Sequence, residues 1–181
     1  MESIMSNKAI DVAKFFTLLA NANNEARLTH LQLQKLVYIA HGITLAMLDR
    51  PLISDPVIAW QYGPIIPALY WELKEHRGNP VPPLHHTPAI EHVEAEVLRA
   101  VYSAYGSLTG VQLSSIANIT ASPWELIWNR HLNGGPTLIP DDLIGNYYKR
   151  ITECQNTQTP PPEEQKNPLS PKKKEKVFLF L

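Results

Sequence analysis

The chain has 181 residues, 44% of them hydrophobic, with 16 Lys/Arg against 17 Asp/Glu for a net charge of −1. That is enough apolar material for one core without disulfide support, and the single Cys154 excludes a disulfide framework or a multi-cysteine zinc site within one chain. The near-neutral balance gives no global reason to expect nucleic-acid binding, although residues 1–154 carry net −3 and residues 155–181 net +2.

The start, MESIMSNKAIDVAKFF, lacks a basic segment leading into an apolar run and a small-residue cleavage site, so it does not read as a signal peptide. No apolar run approaches the ~18 residues of a membrane span. The expectation is a soluble, cytoplasmic protein. A first helix is expected from after Ser6 to about Ala22, with Val12, Ala13, Phe16, Leu19 and Ala20 on one face. Thr29-x-x-Gln32 is a capping-box pattern and opens a second helix to about Leu48. Its stripe of Leu33, Leu36, Val37, Ala40, Ile43 and Met47 is widened by Leu31, Ile39 and Leu45, which makes it the central helix.

Residues 57–62 are β-branched and aromatic, and predict a short strand. Gly63, Pro64 and Pro67 then read as the hinge by which strand becomes helix, with Pro67 in the first helical turn and an end near Gly78. After a proline-rich connector, Thr87-Pro88 opens a fourth helix with Val93, Val97, Ala100, Val101 and Tyr105 inward, ending near Gly106. Thr109-x-x-Gln112 opens a short fifth helix to about Asn118, and Ser122-Pro123-Trp124-Glu125 starts a sixth, with Trp124 read as core. A turn and second short strand at 137–139 precede a last helix over 141–153.

The expected fold is therefore mainly α: a compact bundle of about six or seven helices with a small two-stranded β element, occupying 1–154. Residues 155–181 form a separate tail with 5 of the 16 prolines and a lysine cluster at 172–176. Up to about 176 the tail cannot offset its ordering entropy, so a flexible linker is expected. Its end, VFLFL, could add as a strand to the protein's own sheet or to a partner's edge, or fill a pocket, with Phe178 and Phe180 as the contact candidates, or is simply frayed.

Chemistry is poorly represented. The seven histidines show no metal-ligand spacing, and His30 and His41 lie about 16 Å apart along their helix. They read as surface or partly buried, without a metal. GxSxG, GxGxxG and GxxxxGK[ST] are absent, Cys154 has no adjacent Lys or His, and 110–128 holds no Lys or Arg for a recognition helix. No cofactor and no nucleic-acid partner are expected.

Several motifs do carry a resemblance. Leu33-Gln34-Lys35-Leu36-x-Tyr38-x-Ala40 is followed by Pro51-Leu52-Ile53, then by Ala59-Trp60-x-x-Gly63-Pro64-Ile65-x-Pro67-x-x-Tyr70. The second half adds LSSIANITASPWELIW, with Pro123 and Trp124, and LIPDDLIGNYYKRI. In order and spacing, over about residues 8–151, these resemble the Panacea domain, the SocA-like antitoxin family also seen in phage-associated proteins. One departure is Ala117-Asn118, where the family usually has Thr-His.

The resemblance implies an antitoxin that neutralises a cognate toxin by direct contact, not an enzyme. Partner-contact candidates are Trp60, Tyr62 and Tyr70, with Gln34, Lys35 and Tyr38 of the helix motif, while Gly63, Pro64, Pro67, Pro123 and Trp124 are structural. The alternatives are an adaptor delivering the bound toxin to a protease, with the tail as tether, or an enzyme built on the histidines. The toxin's identity and the oligomeric state are not readable from sequence.

Overall fold

The computed structural model describes residues 6–84, 88–130 and 135–156. His85, His86, Thr87, the tail from 157 and its Phe178 and Phe180 lie outside the described residues. The elements run α1 (Ala9–Ala22), α2 (His30–Leu48), β1 (Ile58–Trp60), β2 (Gly63–Ile65), α3 (Pro67–Leu73) with a 3₁₀ turn at Lys74–His76, α4 (His92–Tyr105), α5 (Gly110–Ala117), α6 (Pro123–Arg130), β3 (Thr137–Leu138) and α7 (Asp141–Asn156). The fold is mainly α with a small sheet.

Helix α2 is central, as its apolar breadth predicts: α1, α3, α4, α5, α7 and β2 all pack on it. Its first turn is fixed by a full capping box, in which Thr29 Oγ1 accepts from the Gln32 N–H and Gln32 Oε1 accepts from the Thr29 N–H. Thr109 and Gln112 repeat the device at α5. At α6 the Glu125 N–H donates to Ser122 Oγ at 3.2 Å, and Pro123 takes the first position, where no N–H is needed. Leu33, Leu36, Val37, Ile39 and Ala40 are fully enclosed against Phe16, Leu98, Val101 and Leu113. Met47 departs from the expected stripe. It is 62% exposed, because the last turn of α2 reaches beyond the elements that cover the rest.

Helix α4 begins at His92 rather than at Pro88, with Glu91 as its cap residue. Its inner face is Glu94, Ala95, Val97, Leu98, Val101 and Tyr102, so Val93 faces out. The rotation follows from Glu94, whose buried carboxylate accepts from Asn7 Nδ2 at 2.8 Å and pairs with Arg50 at 3.1 Å. Those bonds tie α4 to the N-terminal segment and to the loop after α2, and they satisfy a charge that burial would otherwise penalise.

The sheet has three antiparallel strands in the order β2-β1-β3, not two. Ile58 pairs with Ile65, Ala59 with Pro64 and Trp60 with Gly63, while β3 pairs through Leu138 and Thr137 to Ile58 and Ala59. The expected strand over 57–62 is thus half of a hairpin with Gln61 and Tyr62 at its turn. The chain reverses before it enters the helix, because Gly63 adopts φ 110°, a conformation closed to most L-residues. Pro64, with no N–H to give, is tolerated because β2 is an edge strand. Pro67 then occupies the first turn of α3 as expected.

Candidate functional site

The hairpin tip is held by side chains rather than by its own short ladder. Gln34 on α2 makes a two-point amide bond to the main chain of Ile66: its Nε2 donates to the Ile66 carbonyl at 3.2 Å, and the Ile66 N–H donates to Oε1 at 3.0 Å. One residue on, Lys35 Nζ donates to the carbonyls of Pro64 at 3.0 Å and Tyr62 at 3.4 Å. From α5's C-terminal cap, Asn118 Nδ2 donates to the same Tyr62 carbonyl at 3.3 Å. From α6, Trp124 Nε1 donates to the Trp60 carbonyl at 2.7 Å.

Four side chains at the ends of three helices thus grip the main chain at residues 60, 62, 64 and 66. Buried backbone groups require partners, and here those partners also immobilise a loop. The grip leaves no free volume: a Cβ on Gly63 would lie 2.2 Å from Asn118 Oδ1 and 2.7 Å from Lys35 Nζ. Glycine is required there by both conformation and space.

Lys35 is 3% exposed, and burial pulls its ammonium down to about 8. No carboxylate pairs with it among the described residues. Asn118 Oδ1 is buried beside it without a hydrogen-bond partner.

Around this clamp the aromatic rings form a chain of edge contacts. Trp60 meets Tyr62 at 6.2 Å and Tyr70 at 5.9 Å, and Tyr70 meets Trp71 at 5.5 Å. His30 lies 5.3 Å from Tyr70, and burial together with repulsion from His76 holds it below its ordinary value. Lys74 Nζ sits 4.3 Å above the Trp71 ring. Tyr62 is 70% and Trp71 62% exposed, an unusual outlay of large rings on a surface. Between α2, the hairpin and α3 a cavity of about 200 Å³ opens, lined by Leu31, Lys35, Trp60, Pro64, Tyr70 and Arg77 among others.

Five of the six partner-contact candidates therefore come together: Trp60, Tyr62 and Tyr70 as the ring chain, Gln34 and Lys35 as the supports beneath it. Tyr38 does not join them. It is 1% exposed, packed edge-on against Tyr148 at 6.2 Å, with burial raising its hydroxyl well above the ordinary range. One turn beyond Gln34 on the same flank of α2, it lies past the hairpin and is covered by α7 instead.

Pro123 opens α6, and Trp124, read from the sequence as core, is only half-buried at the core's edge, stacked on Trp128 at 6.1 Å. Sequence reasoning missed Trp71, whose place beside Tyr70 was the available signal, and treated Asn118 only as a departure. His41 corrects another expectation, for it is fully buried: its Nε2 lies 3.1 Å from Asp141 Oδ1, and its Nδ1 accepts the Ile53 N–H at 3.5 Å. That imidazole ties α2 to α7 and to the following loop. Among the described residues no helix is long and apolar enough to cross a membrane.

Comparison with known proteins bears on the same segment. Residues 33–125, from the Gln34–Lys35 supports through the hairpin to the Trp124 anchor, match the family model described as Antitoxin SocA-like, Panacea domain. Over 114 residues the chain is 27% identical to Antitoxin SocA of Caulobacter vibrioides (strain NA1000 / CB15N), an alignment taking in 56% of this chain and 61% of that protein. The chain thus spans about three fifths of the length of this curated relative. No solved structure matches it. Since the match takes in more than half of the chain, the protein belongs to the SocA-like antitoxin family with the Panacea domain.

Proposed function

We propose that this protein is an antitoxin of the cytoplasm that neutralises a cognate toxin by direct protein–protein contact, and that the clamped hairpin is part of the contact surface. The observation that carries this reading is the coincidence of the family match with the clamp: the matched residues build both the rigid support and the exposed rings. Binding by such a surface needs no catalytic group. It needs large aromatic anchors already held in place, so that little freedom is lost on association.

The neighbouring surface suits the same role. Helix α5, packed beside β2, exposes Val111 and Ile116, Ile119 is exposed just past its end, and no Asp, Glu, Lys or Arg occurs between Arg99 and Glu125. Interface cores are depleted in charge and enriched in aromatic residues.

The test is co-expression with the protein encoded beside this one. The full chain should restore growth, and the double variant Tyr62→Ala, Trp71→Ala should lose rescue while keeping its circular dichroism spectrum and cooperative unfolding, because hot-spot truncations cost about 2 kcal/mol or more each. Full rescue by that folded variant removes the hairpin from the contact surface. Failure of the wild-type chain to rescue growth or to co-purify with its neighbour removes the antitoxin reading. The composition of 155–181 favours a second reading, an adaptor handing the toxin to a protease. Deleting those residues separates the two: binding kept with toxin degradation lost supports the adaptor.

A further inference from the structure

Three cavities stand out in the described residues, and their charge distributions differ. One of about 240 Å³ has Glu25 and Arg27 in its wall; another of about 350 Å³ has Glu25 and Arg99. Charge in both is balanced from within the chain. The cavity under the hairpin is lined by Lys35 and Arg77 and by no Asp or Glu, and its remaining wall is mostly apolar.

Two of the three N–H groups of the Lys35 ammonium go to main-chain carbonyls. Carbonyl dipoles stabilise a cation but do not cancel its charge, so the buried ammonium keeps an unmet demand for an anion. Arg77 is exposed, has no ion pair among the described residues, and presents the planar donor fork suited to carboxylate. The cavity's size is equally selective. At about 200 Å³ it is smaller than the roughly 300 Å³ at which sites for drug-sized molecules begin, and it accommodates a side chain rather than a cofactor.

We propose that this cavity is a socket for a short segment of the toxin in which an apolar side chain is followed by Asp or Glu, the apolar group packing against Trp60 and Tyr70 and the carboxylate meeting Arg77 and the Lys35 side of the cavity. The proposal rests on the antitoxin reading and gives that reading a partner chemistry. It also assigns Lys35 two roles, holding the hairpin from below and supplying the positive field above it.

The test uses the full chain, ¹⁵N-labelled, with four probes: the capped dipeptides Phe-Asp, Phe-Asn and Phe-Lys, and a nucleoside monophosphate. Phe-Asp should shift the Trp60 indole resonance and bind about tenfold more tightly than Phe-Lys, with Phe-Asn between them. Arg77→Ala should compress that spread while leaving the rest of the spectrum in place. Equal binding of the three dipeptides, shifts that bypass Trp60, or tighter binding of the nucleoside monophosphate overturns the proposal.

Growth rescue by wild type and by Arg77→Glu is measured in parallel. Loss of rescue in a folded Arg77→Glu chain supports the socket. Full rescue by both, with no discrimination among the peptides, rejects the socket and leaves the antitoxin reading intact. Peptide discrimination without wild-type rescue rejects the antitoxin reading and, with it, the assignment of the socket to a toxin.

Discussion

The two halves of α2 bury polar groups for opposite purposes. In the N-terminal half, Gln34 and Lys35 reach out of the helix to the hairpin main chain and fix a loop that displays its rings to solvent. From the middle of the helix onward, Tyr38 and Gly42 receive Tyr148 of α7 so closely that a Cβ on Gly42 would lie 2.2 Å from the Tyr148 ring. The first half shapes a surface; the second closes the core. Damage to the second should cost stability, and damage to the first should cost partner binding with less loss of stability.

The largest expected effect breaks the core half. Tyr148→Ala removes a buried ring and should lower unfolding free energy by about 3–5 kcal/mol, read as a shifted urea midpoint. The fraction that remains folded should bind the toxin with unchanged affinity, since the hairpin does not touch α7's ring. Weaker binding by the folded fraction would erase the distinction between the halves.

A smaller effect sharpens the clamp half. The Lys35 ammonium lies at about 8 in the folded protein against 10.5 in the unfolded chain. Across that window the unfolded chain holds a proton that the folded chain lacks, so stability rises with pH by about 3 kcal/mol. Burial of the Tyr38 and Tyr148 hydroxyls acts in the opposite direction, but only above pH 10. Subtracting the curve for Lys35→Met isolates the lysine: wild type minus variant should climb between pH 8 and 10.5. A flat difference would mean that the ammonium is solvated.

The smallest effect separates grip from packing. Trp124→Phe keeps a ring against Trp128 and deletes the bond to the Trp60 carbonyl, at a cost of about 1 kcal/mol in stability. The Trp60 amide should exchange its hydrogen faster in this variant, whereas α7 amides should not.

The sequence made the helices legible because their signals are local. Thr29 with Gln32, Thr109 with Gln112 and Ser122 with Pro123 each announce a start within four residues, and the apolar breadth of α2 announces its centrality. What stayed hidden depends on contacts between distant residues. The clamp joins positions 29, 32, 56 and 64 residues apart, and no spacing rule marks a lysine that will spend its ammonium on main-chain carbonyls. The outward turn of Val93 follows from Asn7 and Arg50 meeting Glu94, again across the chain. Of the six contact candidates, the five that converge stand on the hairpin, on α3 or on the turn of α2 facing it. Tyr38 shares the helix motif and the flank of α2 with Gln34, but one turn further along α7 covers that flank.

Every one of the clamp's bonds to residues 60–66 ends on a carbonyl or an N–H, groups common to almost all amino acids. Nothing in that grip specifies the side chains of Gln61 and Tyr62 at the tip. The tip is an interchangeable bit in a fixed chuck: under the proposed contact, new side chains at 61 and 62 would re-aim the same scaffold without refolding it.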